Sequence, residues 1–236
     1  VLFVLAENLR KVKEIIVAAL AKRTGKKETG NTVCLVAVTK NHPAQVITDI
    51  KALGVENIGE NRVQEAREKQ EKIGHPGTWH LIGHLQTNKA KQAVELFDLI
   101  ESADSEHLLR ALEKASAKLE KQTEVLLQIN IAREPQKTGF LPEEYEAVLG
   151  KLEELPHIKV RGIMVIAPNT SDLTVVRSVF RSGYEYYCAL KKQREGIEYL
   201  SMGMSGDYAI AVEEGANIVR VGTALFGARD YSDRGY

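Results

Sequence analysis

The sequence predicts an α/β protein, a single (β/α)8 barrel of the TIM type preceded by an N-terminal helix. Three observations carry this. Short apolar runs of strand length alternate with amphipathic segments as far as an eighth run. The 236 residues are many for one ordinary domain but usual for an undivided barrel. No internal repeat, low-complexity tract or linker marks a boundary, so one domain over 1–236 is expected. An open doubly wound sheet is the competitor, and the near-even alternation up to an eighth strand favours closure.

The elements follow in order. Leu2, Leu5, Leu9, Val12, Ile16 and Leu20 recur at steps of three or four, which is one face of an amphipathic helix. Lys22 to Asn31 is polar and breaker-rich and reads as a loop. Thr32 to Thr39 is a continuous apolar run, as expected of a strand buried on both faces. Pro43 then opens a helix to about Leu53, with Pro in the tolerated first turn. Strand and helix alternate from there: Val55–Ile58 and 61–72, Thr78–Ile82 and 87–94, Phe97–Glu101 and 105–121. The later units are Glu124–Ile131 and 142–155, Ile158–Ile166 and 172–194, and Ile197–Met202 and 207–214. Ile218–Val221 is the eighth strand, and Ala224 begins a final short turn.

Composition narrows the function. Hydrophobic residues are 44% and charged residues 27%, enough apolar material for a core in a globular chain. Lys plus Arg equals Asp plus Glu at 32 each, so the basic excess of a nucleic-acid binder is missing and no nucleic-acid partner is expected. The apolar opening Val1 to Ala6 is too short for a membrane span or a signal core. Cys34 and Cys188 lack CxxC spacing and read as free thiols in a reducing, cytoplasmic setting. Because the chain begins with Val1 and not Met, preceding residues stay open, a cleaved organelle presequence among them.

In a barrel of this kind functional groups gather at the carboxyl ends of the strands. Those positions hold Lys40, Glu60-Asn61, His84, Asn130, Ala167-Pro168, Ser201 to Ser205 and Arg220 to Thr223. Lys40 ends the most apolar strand and shares a strand face with Val36 and Val38. If that face is the interior, desolvation would leave more free amine to attack an aldehyde; otherwise Lys40 is a solvated lysine past a strand end. Ser205-Gly206-Asp207 and Gly222-Thr223 follow the seventh and eighth strands, where barrels recurrently bind phosphate on main-chain N–H groups. The same turns also suit ordinary helix caps. Arg220, if inward, can face a pyridine nitrogen; if not, it bridges carboxylates at the rim.

Other signals read as structural. His80 and His84 in WHLIGH lack a third ligand, so a structural or gating role is expected over a metal site. Glu60 and Asn61 resemble a helix N-terminal pair, so capping competes with pocket lining. Trp79, Tyr184, Tyr186 and Tyr187 read as packing residues, and Glu65 to Lys72 as a solvated helix face.

The stretches LVAVTK (35–40), IGENRVQE (58–65), WHLIGHLQTNK (79–89), SMGMSGDYAIAVEEGA (201–216) and VRVGTALFGARDY (219–231) resemble the pyridoxal phosphate homeostasis protein family. Its members are single-domain barrels related to the N-terminal domain of alanine racemase. The resemblance implies pyridoxal 5′-phosphate held as an aldimine (a Schiff base) on Lys40. It also implies that Ser205, Gly206, Gly222 and Thr223 hold the phosphate, that Arg220 faces the ring nitrogen, and that Asn61 and Met204 line the ring pocket. Departures fall at Asn41-His42, Asn217 and the loop Ala167-Pro168-Asn169, none of them an implied contact.

The function so implied is a carrier or buffer in intracellular vitamin B6 homeostasis, without catalytic turnover, delivering to PLP-dependent apo-enzymes as a monomer or weak dimer. Racemases of related fold take a second base from an additional β domain, which the five residues after Tyr231 do not supply. A small PLP-dependent amino-acid racemase or related isomerase at the same site is the alternative. A phosphosugar-type barrel enzyme, with Lys40 binding an anion, is a third reading.

Overall fold

The computed structural model describes residues 2–228. Val1 and the end of the last motif, Arg229 to Tyr231, lie outside the described residues. Among these residues eight parallel strands close a barrel in chain order. They are β1 (Cys34–Val38), β2 (Asn57–Glu60), β3 (Thr78–Leu81), β4 (Leu99–Ala103), β5 (Thr123–Ile129), β6 (Ile158–Val165), β7 (Tyr199–Met202) and β8 (Ile218–Val221). β8 pairs back onto β1 with Val36 level with Arg220. The helices are α1 (Leu2–Ala21), α2 (Gln45–Ala52), α3 (Val63–Ile73), α4 (Ala90–Leu96), α5 (Glu106–Lys118), α6 (Pro142–Leu149), α7 (Leu173–Gln193), α8 (Tyr208–Glu213) and α9 (Thr223–Phe226).

α1 is the expected extra helix. Its buried stripe is Leu5, Leu9, Val12, Ile16 and Ala19, and it packs on α8 and α9. Asn8 secures it there, its side-chain N–H donating to the Leu225 carbonyl at 2.8 Å. Ser105 caps α5 by accepting the Leu108 N–H, and Asp172 caps α7 through the N–H groups of Thr174 and Val175.

Two strands sit two residues later than hydropathy places them. Val55 and Phe97, expected to open β2 and β4, are buried in the turns that lead into them. The strands run on instead through Glu60 and through Glu101 to Ala103, whose charged members are fully buried. Hydropathy reads a carboxylate as an end; here it has partners inside. The helix expected over 87–94 divides into a 3-10 turn at Thr87–Lys89 and α4. The one expected over 142–155 stops at Leu149, before a 3-10 turn at Leu152–Glu154.

Strand residues alternate between two apolar regions. The larger core lies between strands and helices and includes Ala37, Ile58, Trp79, Leu112, Phe180 and Tyr187. A smaller cluster of Val36, Leu99, Leu126, Met164 and Ile218 fills the barrel bore. Val36 is thus inward, and with it the face that carries Val38 and Lys40. The cysteines are unpaired, and burial pushes the Cys34 thiol up to about 12, leaving little thiolate. No helix among the described residues is long and apolar enough to cross a membrane.

Candidate functional site

Above the apolar plug the bore becomes polar. Arg220, inward from β8 and almost fully buried, donates from Nη1 to Ser201 Oγ at 2.6 Å and from Nη2 to the Val165 carbonyl at 3.1 Å. The Ser201 hydroxyl in turn donates to Glu101 Oε2, itself 3.8 Å from Arg220 Nη1. On the other side Glu101 Oε1 meets His80 Nδ1 at 2.7 Å, and His80 Nε2 meets Asn57 Oδ1 at 2.9 Å. Burial alone would raise the Glu101 carboxyl. The His80 hydrogen bond, the charges of His80 and Arg220 and the Ser201 hydroxyl together hold it below the usual carboxylate range. Burial lowers Arg220 from its ordinary value against the pull of Glu101 and Asp207, and a guanidinium so placed remains a cation.

Over this layer opens a cavity of about 330 Å³ at the carboxyl ends of the strands. Lys40, Asn61, Met204, Ser205, Gly206, Arg220, Gly222 and Thr223 all line it, joined by Val38, Ile82 and Ile166. The eight residues expected to contact a ligand therefore meet in one place, from four chain segments. Gly59 keeps the cavity floor low: a Cβ there would lie 2.9 Å from Val36 Cγ1 and 3.2 Å from Ile82 Cδ1.

The two late turns are tied together by Ser205, whose Oγ accepts the N–H groups of Gly222 at 3.3 Å and Ala224 at 3.2 Å. Asp207 Oδ1 accepts the Met204 N–H at 2.7 Å and so shapes the first turn. A Cβ on Gly206 would meet nothing within 4 Å, so space remains beside that backbone. α8 has 6 residues and α9 has 4, so few peptide dipoles add along either. The capacity of these turns for an anion rests on first-turn N–H groups and on the Ser205 and Thr223 hydroxyls. An amine and such donors around one cavity suit a small molecule with a carbonyl and an anionic group.

Behind Lys40, on the helix side of the barrel, sits a cluster that the sequence reading missed. Glu60 does not cap a helix. It ends β2 fully buried, accepts from the Thr39 hydroxyl and from Lys69 Nζ (2.5 Å), and leaves Oε2 without a partner. Burial pushes the Glu60 carboxyl up despite the opposing Lys69 charge. α3 begins after Arg62, which makes no side-chain cap bond. Nor is the run from Glu65 to Lys72 wholly solvated, since Lys69 is only 5% exposed. The signal was its period: Lys69 lies three and six residues after the buried Ala66 and Val63.

Other strand-end groups stand apart from the cavity lining. His84 Nδ1 meets Asp104 Oδ2 at 2.7 Å, and Asn130 braces its own loop through the Glu134 carbonyl at 2.9 Å. Among the described residues no group of three or more His, Cys, Asp or Glu is placed to hold a metal ion. A wider groove of about 520 Å³, which includes Lys91 and Lys114 in its lining, holds no strand-end group.

Known proteins resemble this chain over nearly its whole length. The family model described as "Alanine racemase, N-terminal domain" matches residues 5–230. Pyridoxal phosphate homeostasis proteins from Aquifex aeolicus and Pseudomonas aeruginosa are 38% and 37% identical to it. The first alignment covers 95% of this chain and 98% of the relative, the second 96% of each. Among solved structures, PipY of Synechococcus elongatus with PLP bound superposes with a TM-score of 0.81 at 37% identity, covering 94% of this chain and 100% of that one.

Proposed function

Because this chain belongs to the pyridoxal phosphate homeostasis protein family and to the wider family of alanine racemase N-terminal domains, we propose that it binds pyridoxal 5′-phosphate in the mouth cavity, bonded covalently to Lys40. The observation that carries this is the convergence of Lys40, Arg220 and the two late turns on one cavity. When bound, the cofactor supplies an aldehyde carbon open to an amine and a ring able to withdraw electrons. Lys40 Nζ would be the amine available to that carbon, as the nucleophile of the site. Ser205, Gly206, Gly222 and Thr223 would hold the phosphate, and Asn61 and Met204 would flank the ring.

Arg220 would face the ring nitrogen as a donor that cannot give up its proton, which would leave that nitrogen unprotonated and the ring a weaker electron sink. Of the described residues lining the cavity, Lys40 is the group able to take a proton from a substrate carbon. Among the described residues lining the cavity, none stands beside it as a second base for two-sided racemisation. Both points favour holding and releasing the cofactor, a carrier or buffer role in vitamin B6 homeostasis, over amino-acid turnover. The free cysteines suit a reducing compartment such as the cytoplasm.

Titration with pyridoxal 5′-phosphate should produce a visible absorption band that borohydride erases, with the reduced adduct mapping to Lys40. The same band in Lys40→Ala would overturn the assignment.

A further inference from the structure

Lys40 is held from behind, and we propose that Lys69, acting with Glu65, is a positioning residue that fixes the Lys40 backbone so that its amine points into the cavity. The inference rests on the Lys40 assignment above. The Lys69 ammonium has three protons to give and meets three acceptors: Thr39 O at 2.7 Å, Glu60 Oε1 at 2.5 Å and Glu65 Oε1 at 2.8 Å. Glu65 Oε1 also accepts the Asn41 N–H at 2.6 Å. One buried cation therefore grips the residue before Lys40 directly and the residue after it through a single carboxylate.

The backbone at that point needs holding. Asn41 has φ +62, in the left-handed region that Asn visits more readily than most side chains, so the chain turns sharply just past Lys40. Thr39 faces outward and Lys40 inward, because neighbouring strand residues alternate. The grip thus lies on the far side of the strand from the cavity, and Lys69 is absent from the cavity lining. Burying an ammonium and carboxylates is a poor way to gain stability, and an apolar trio would attach α3 at least as well. What the charged cluster adds is direction, since hydrogen bonds fix angles where apolar contacts do not.

Two measurements on Lys69→Met, Lys69→Arg and Glu65→Gln separate positioning from general support. Pyridoxine 5′-phosphate, which carries ring and phosphate but no aldehyde, reports binding alone. The borohydride-sensitive band formed with pyridoxal 5′-phosphate reports attack by Lys40. In Lys69→Met the band should form on the order of tenfold to a hundredfold more slowly, with analogue affinity kept within about twofold, as expected of a misplaced nucleophile. Lys69→Arg should recover part of the rate. An unchanged rate in the variants, or equal loss of rate and analogue affinity, overturns the proposal. If Lys69→Met fails to fold, Glu65→Gln carries the test, since the Glu65 side chain is 20% exposed and the change only removes a charge. A band that persists in Lys40→Ala would instead sink the reading beneath it, so the two failures are told apart.

Discussion

Arg220 and Glu101 lie 3.8 Å apart inside the barrel and share the hydroxyl of Ser201, which accepts from the first and donates to the second. Neither group reaches bulk water, so each depends on the other for its charge to be tolerated. Replacing Glu101 by Ala leaves a buried guanidinium without its carboxylate. The expected loss is about 3–5 kcal/mol of unfolding free energy, read from urea melts of the two proteins at neutral pH.

Acid should close that gap. The folded-state carboxyl of Glu101 is held below its ordinary value, so its contribution is complete above the unfolded pKa of about 4.3 and is lost as pH falls through the folded value. Urea midpoints of wild type and Glu101→Ala, followed downward from pH 6, should converge below about pH 4. A constant difference across that range would mean that Glu101 carries no charge in the native barrel.

Ser205→Ala removes the acceptor shared by the Gly222 and Ala224 N–H groups. About 1 kcal/mol of stability should go with it, and affinity for pyridoxal 5′-phosphate should fall about tenfold, one charge-assisted hydrogen bond to the phosphate. Calorimetric titration decides it, and full affinity in the variant would take Ser205 out of the phosphate site.

Gly83→Ala acts on the cavity without lining it. A Cβ at that position would stand 2.4 Å from the Asn61 carbonyl oxygen and 2.9 Å from its Cα, so Asn61 must move. Overpacking of this kind costs about 1–3 kcal/mol. Cofactor affinity should drop together with the melting midpoint, and a variant matching wild type in both would show that the β2–α3 turn yields freely.

The parts of the molecule that could be read in advance are those where side-chain type and backbone geometry agree. The run expected from Thr32 to Thr39 forms a strand from Cys34 to Val38, buried on both faces from Val36 onward while Thr32 is exposed, and parity alone carries Lys40 to the side of Val36 and Val38. Ser205, Gly206, Gly222 and Thr223 could be placed at the mouth because they follow the last two strands in tight turns, which favour those residue types. The polar layer could not. Glu101 looks like a strand terminus until His80 arrives from the preceding strand and Ser201 from one far along the chain, and Lys69 looks like one solvated charge among many. The signal available was again parity: Leu99 and Glu101 share a face, as do Tyr199 and Ser201, and Ile218 and Arg220. Two charges and a hydroxyl on the inward side of three strands imply partners within the bore.

The side chains of Val36, Leu99, Leu126, Met164 and Ile218 make the mouth a cul-de-sac. Nothing can pass through from one end of the barrel to the other, so arrival and departure use the same doorway and compete for it. Under the carrier reading proposed above, a recipient protein would have to face that rim while the guest is leaving, and so would stand where the next guest enters.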